Sequence, residues 1–305
     1  MKKQTALFSC LPGKHKNYLA ICVFVSLISA LCSSLLAQPA SSSPVTLEKI
    51  KDNIYLIKGG AGANCYLIAG KKSHLLVDAK MNDHSFQEML SQIKKITGQP
   101  VGLIILTHSD GDHVNGLAGL NEEMKILAHQ KTYEEMLPLV ERSPELKKIL
   151  PTETYQKSKV LIFEGNKLEL RNFGPAHTSG DTVIFVPDSR LAIVGDLMFF
   201  GRDPLIHKHK NGSFYGYVKT LQELLAYKPE IEIFLSGHAE PASRQQVAEL
   251  IDYLRQKEKQ VKELIDQGKT LEEIKSLLGE KTATGSTRRW PSLVEIIYQE
   301  IKGKN

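Results

Sequence analysis

Cysteine and tryptophan are scarce: the 305 residues include four cysteines and one tryptophan. Cys10, Cys22 and Cys32 fall within the first 37 residues, which leaves Cys65 alone in the rest of the chain. One thiol closes no internal bridge, so that part must fold on its apolar core without disulfides. Its roughly 268 residues are enough for one sizeable core. Cys65 sits in Ala63-Asn64-Cys65-Tyr66-Leu67-Ile68, a strand-like context that assigns it to packing.

A strong charge imbalance is also missing once the leader is set apart. Lys2, Lys3, Lys14 and Lys16 precede residues 19–36, which carry no charge. Removing those four lysines brings the net charge from +5 to about +1, so no nucleic-acid partner is implied. Basic residues, an apolar stretch, Ala37 and a Pro/Ser-rich segment read as a signal peptide over residues 1–37 and a linker over 38–44. Cleavage is expected after Ala37, giving an exported protein, periplasmic or secreted. The apolar run matches a minimal membrane span of roughly 18 residues, so an uncleaved anchor is the alternative, and the only expected membrane contact. Leu31 is too large for the usual lipobox, which sets aside lipid attachment at Cys32.

Fixed-period repeats are absent. Gly59-Gly60-Ala61-Gly62 lacks the Lys-Ser/Thr pair and the helix that a phosphate cradle needs. What the chain does hold is Thr107-His108-Ser109-Asp110-Gly111-Asp112-His113, two histidines and two aspartates within six residues. It follows residues 101–106, an apolar run that reads as a buried strand. Imidazoles and carboxylates fanning out from a glycine-bearing loop at a strand end suit one or two divalent metals. Single donors recur downstream in similar settings: His177 after Gly174-Pro175-Ala176, Asp196 after Val194-Gly195, and His238 after Ser236-Gly237.

Periodicity places strands over residues 45–58, 65–69, 74–77, 125–128, 159–173, 181–187, 190–194 and 231–235. Helices are expected over 82–97, 116–123, 129–142, 213–227 and 244–267, from Thr270 with a capping box, and from Trp290-Pro291 to Lys302. Residues 143–158, polar and holding two prolines, read as an insertion or lid near the cleft. Strand runs followed by helices, occurring twice, fit a four-layer αββα sandwich.

The order His-x-Asp-x-Asp-His, then His, Asp and His resembles the metallo-β-lactamase superfamily, from about Val45 to about Asp252. The resemblance implies a domain over residues 45–252 followed by a helical C-terminal extension over 253–305, packed on the core or on a second subunit of a homodimer. It implies that His108, Asp110 and His177 hold one metal. Asp112, His113 and His238 would hold the second, with Asp196 bridging. Asp112 would also orient water, and Asp78 would support the metal loop from below; capping a turn is an equal reading for Asp78. Two divalent ions, most simply zinc, would acidify water for attack on a small-molecule ester, lactone, thioester or amide, β-lactams included.

One departure matters: the family usually has a second histidine where Asp110 stands. A third carboxylate neutralises the site and leans toward harder metals such as iron or manganese. Flavodiiron proteins also carry a carboxylate there, so a di-iron redox protein is one alternative. A degenerate member that binds metal or ligand without turnover is another. His207 and His209 are candidate substrate contacts, and Lys208, Lys210 and Arg202 could meet a substrate carboxylate. Thr178, Ser179 and Asp181 are expected to orient His177. His74 and His129 lack a partner motif and are expected to have no chemical role.

Overall fold

The computed structural model describes residues 43–121, 124–280 and 290–303. The signal peptide, most of the 38–44 linker and the end of the helix expected over 116–123 lie outside the described residues. Among those described, no helix is long and apolar enough to cross a membrane.

A first sheet runs β1(Thr46–Lys51), β2(Ile54–Lys58), β3(Cys65–Ala69), β4(His74–Val77), β5(Val101–Ile105), β6(Lys125–His129) and β7(Glu153–Tyr155), paired in that order. Short turns join β1 to β4 as antiparallel neighbours, and helical crossovers make β4 to β7 parallel. The second sheet has the order β13(Ala242–Ser243), β12(Ile233–Ser236), β11(Leu191–Gly195), β10(Val183–Val186), β9(Asn166–Arg171), β8(Ser158–Phe163).

Alternation along the strands decides which layer each side chain joins. Ile54, Leu56, Tyr66, Ile68, Leu75 and Val77 meet Leu168, Leu170, Ile184, Val186, Leu191 and Ile193 between the two sheets. Their neighbours Leu67, Leu76 and Ile104 point outward onto Phe86, Met89 and Ile93 of α1(Asp83–Thr97). Cys65 joins that outer cluster, fully buried, and burial pushes its thiol up to about 11. On the far side, Phe185, Ala192 and Phe234 pack under α4(Phe214–Ala226), α5(Arg244–Asp266) and α7(Leu293–Lys302). Four layers result, in the order αββα.

Two local expectations change. The lid over 143–158 is instead a 3-10 turn at Pro144–Ile149, with Ile149 buried in the outer cluster, followed by β7. The helix expected from residue 116 is a 3-10 turn at Asn115–Gly119, preceded by a one-turn α2(Gly111–Val114) inside the donor motif. A helix α3(Gln130–Arg142) follows β6, and α6(Leu271–Leu277) opens with the expected capping box at Thr270. His129 caps α3, and His74 bonds Thr97 Oγ1 at 2.7 Å, so both are structural. Helix α5 runs unbroken across residue 252.

Candidate metal centre

Because β4 and β5 run parallel, and β11 and β12 do too, their C-terminal ends open on a common rim of each sheet. Asp78 follows β4, the donor motif follows β5, Asp196 follows β11, and Ser236-Gly237-His238 closes β12. His177 lies in the loop between β9 and β10. All seven donors read from the sequence meet in two groups: His108, Asp110, His177 and Asp196, then Asp112, His113 and His238. Within each group the donor atoms lie within 4.8 Å of one another.

Asp196 joins the groups. Its Oδ1 is 3.1 Å from His113 Nε2, and its Oδ2 is 3.2 Å from His238 Nε2 and 3.9 Å from both His108 Nε2 and His177 Nε2. Asp112 Oδ2 stands 3.0 Å from His238 Nε2. His108 Nε2, His113 Nε2 and Asp196 Oδ1 are buried and make no hydrogen bond. Buried polar atoms without hydrogen bonds are costly, and imidazole nitrogens facing Asp196 oxygens across 3.1 to 3.9 Å fit cations set between them. The donor set of imidazoles and carboxylates fits zinc, and equally iron or manganese.

The far ring nitrogens are fixed by the fold. Thr107 N and Oγ1 donate to the two Asp78 oxygens, each at 2.8 Å, and His113 Nδ1 donates to Asp78 Oδ2 at 2.8 Å. Thr107 Oγ1, its proton spent on Asp78, accepts from His108 Nδ1 at 2.9 Å. Each bond turns an Nε2 lone pair inward. Asp78 therefore supports the motif, from a left-handed backbone at φ 65° that a non-glycine residue keeps only under strain. His177 Nδ1 donates to the Leu205 carbonyl at 2.7 Å. Asp181 instead closes a turn onto Thr178 N and Oγ1, and Ser179 bonds Glu135, so the three residues expected to orient His177 serve the loop backbone and a neighbouring helix.

Electrostatics repeat the geometry. Burial pushes the His177 and His238 pKa values down, but Asp110 for the first, and Asp112 with Asp196 for the second, raise each to about 9. Burial pushes Asp110 and Asp196 up, and the surrounding imidazoles more than reverse this, holding both well below the usual carboxylate range. Histidine binds a metal only as the neutral imidazole, so metal binding at this site is coupled to proton release.

The loop after β11 adds residues whose partners the sequence did not reveal. His207 is buried, with Nε2 2.7 Å from Asp110 Oδ2, and Lys210 Nζ lies 2.6 Å from Asp110 Oδ1. His209 is exposed and stacks on Trp290 with ring centroids 4.5 Å apart. Lys208 bonds Glu300 of α7 at 2.9 Å. Arg202 rests 4.5 Å over the Phe199 ring, whose other contacts include a stack on His238 with centroids 5.7 Å apart. Phe199 also lines a cavity of about 410 Å³ with Phe200, Arg202, Leu250 and Tyr253. Sequence periodicity gave no signal for that wall, since a short loop has none. Lys80 was missed too: fully buried, it donates to the Ala63 carbonyl at 2.8 Å, tying down the loop that touches Asp112 and Gly237.

Residues 59–238 match the family model described as the metallo-beta-lactamase superfamily. Metallo-beta-lactamase IND-1 of Chryseobacterium indologenes is 25% identical over 236 residues, 73% of this chain and 96% of that protein. A linear primary-alkylsulfatase of a Pseudomonas species is 21% identical, over 62% of this chain and 44% of the sulfatase. Among solved structures, a metallo-beta-lactamase from Pontibacter korlensis superposes with TM-score 0.59 at 16% identity, over 69% of this chain and 99% of that one. FIM-1 from Pseudomonas aeruginosa, in its mono-zinc form, gives TM-score 0.58 at 18% identity, over 71% of this chain and 98% of its own. These structural likenesses concern the fold.

Proposed function

The chain belongs to the metallo-beta-lactamase superfamily, and on that premise we propose that it is an exported, dinuclear, metal-dependent hydrolase of esters, lactones, thioesters or amides. His108, Asp110 and His177 would hold one ion, Asp112, His113 and His238 the other, and Asp196 both. The observation that carries the reading is the gathering of all seven imidazole and carboxylate donors in two groups joined by Asp196, with His108 Nε2, His113 Nε2 and Asp196 Oδ1 buried and without a hydrogen bond. When bound, two divalent ions supply an acidified water and polarise a substrate carbonyl, which removes the need for a serine or cysteine nucleophile.

The chain's own part is to hold this geometry and shape the approach. Asp78 and Thr107 lock the two motif imidazoles, so their Nε2 atoms need no reorganisation. Asp112 is the least enclosed of the three carboxylates, with its side chain 22% exposed, which supports a role in orienting water at the mouth. The cavity behind Phe199 and Phe200 offers an apolar, aromatic wall one ring away from His238, suited to a substrate with an apolar portion. The basic residues and uncharged run at the start of the chain support export.

A panel of aryl and alkyl esters, lactones, thioesters and β-lactams, assayed with metal-stripped and zinc-reloaded protein, tests the proposal. Metal-dependent turnover of at least one class is expected, falling more than about 100-fold in His113→Ala and Asp196→Asn. No turnover by fully loaded protein would overturn the hydrolase reading. Bound iron with a visible absorption band would favour the redox alternative, which the third carboxylate at Asp110 motivates.

A further inference from the structure

Asp110 departs from the family's usual histidine, and its carboxylate is gripped from three sides. Lys210 Nζ lies 2.6 Å from Oδ1; His207 Nε2 and His177 Nε2 lie 2.7 and 3.1 Å from Oδ2. Lys210 also donates to Ser109 Oγ at 2.8 Å, which places the ammonium on both residues of one motif turn. Neither His207 nor Lys210 belongs to the donor motif; both ride on the loop that follows β11.

That loop is held from two directions. His207 N donates to the His177 carbonyl at 2.8 Å, which ties it to the loop of another ligand. From α7, Glu300 accepts from Lys208 Nζ at 2.9 Å, from Ser213 Oγ at 3.1 Å and from Phe214 N at 3.0 Å, binding the loop and the start of α4 together. Trp290, just before α7, lies against both loop histidines, with centroids 4.9 Å from His207 and 4.5 Å from His209. The C-terminal extension thus reaches Asp110 at two removes.

The geometry points to His207 and Lys210 as positioning residues that replace the imidazole missing from the first motif. They fix Asp110 as a ligand of the first metal and return the positive charge that a carboxylate at this position removes. Each carboxylate oxygen has two lone pairs; Oδ1 holds Lys210 alone, and the His177 Nε2 beside Oδ2 would itself serve the metal, so one donor on each oxygen leaves room for the ion. Lys210 and Asp110 side chains are only 18% and 12% exposed, so solvent screens the pair weakly. Two divalent ions with hydroxide and three carboxylates are neutral; the ammonium restores the charge a histidine at 110 would have left. This assignment rests on the metal centre proposed above.

The test is metal binding by the full chain, with metal-free protein titrated with Zn²⁺ and Co²⁺ against a chromophoric chelator. Wild type is expected to bind two ions. Lys210→Met and His207→Ala should each weaken one of the two stepwise affinities by about 10- to 100-fold and alter the Co²⁺ visible spectrum. Lys210→Arg and His207→Gln, which keep a donor, should recover most of the loss. In an Asp110→His background the sign should change: Lys210→Met should cost nothing or tighten binding, because the ammonium then faces an imidazole and a cation. Unchanged stepwise affinities in Lys210→Met and His207→Ala, or the same loss with and without Asp110, would overturn the assignment. Two bound metals without any turnover would sink the hydrolase reading and leave this one standing. A chain that binds no metal would overturn both.

Discussion

At the residue scale the site depends on what is small as much as on what binds. A Cβ on Gly237 would lie 2.4 Å from Asp196 Oδ1 and 2.7 Å from His113 Cε1, inside any tolerated contact. Gly237→Ala must therefore displace donors of both proposed metals. We expect metal affinity to fall about 10-fold or more while far-ultraviolet circular dichroism stays unchanged, as measured by chelator competition. The seven donors themselves were legible because histidine and aspartate cluster at strand ends, where few other roles need them together. Asp78 was legible only as a choice between ligand support and turn-making, and the structure places it under both motif imidazoles. His207 was a candidate contact, yet its partner Asp110 is 97 residues away, a pairing no local pattern encodes. Asp181 misled for the converse reason: its position beside His177 suggested a ligand partner, but its oxygens are taken by Thr178.

At the scale of elements, alternation and capping were informative and short segments were not. The strands around Cys65 and Val77, the helix over 83–97 and the capping box at Thr270 all lie close to where the pattern puts them. β7 has three residues and followed two prolines, too little alternation to stand out from an insertion, and tertiary pairing with β6 decides it. The one-turn α2 lies within the donor motif, where glycine and aspartate mimic a loop. The apolar face of α7 predicted a packed helix but not its role in holding the loop of His207. Ile297 on that face is fully buried in the cluster with α4 and α5. Ile297→Ala should cost about 2–5 kcal/mol in chemical denaturation. Its stability change should be accompanied by weaker metal binding, because Glu300 lies on the same helix.

At the scale of the whole molecule, two sheets packed face to face bring C-terminal strand ends from both halves to one rim, and the donors come from both. The family motif made this architecture readable, since strand–helix runs occurring twice leave few other ways to cover both faces. The matched region ends at His238, the last donor, and α5, α6 and α7 lie beyond it. The central claim is that the rim of His108 to His238 holds two metal ions. Elemental analysis of protein purified without added metal, then after reloading with zinc, measures it directly. Close to two ions per chain after reloading are expected, with the second lost in His113→Ala. Fewer than one ion of any metal, before and after reloading, would contradict the claim.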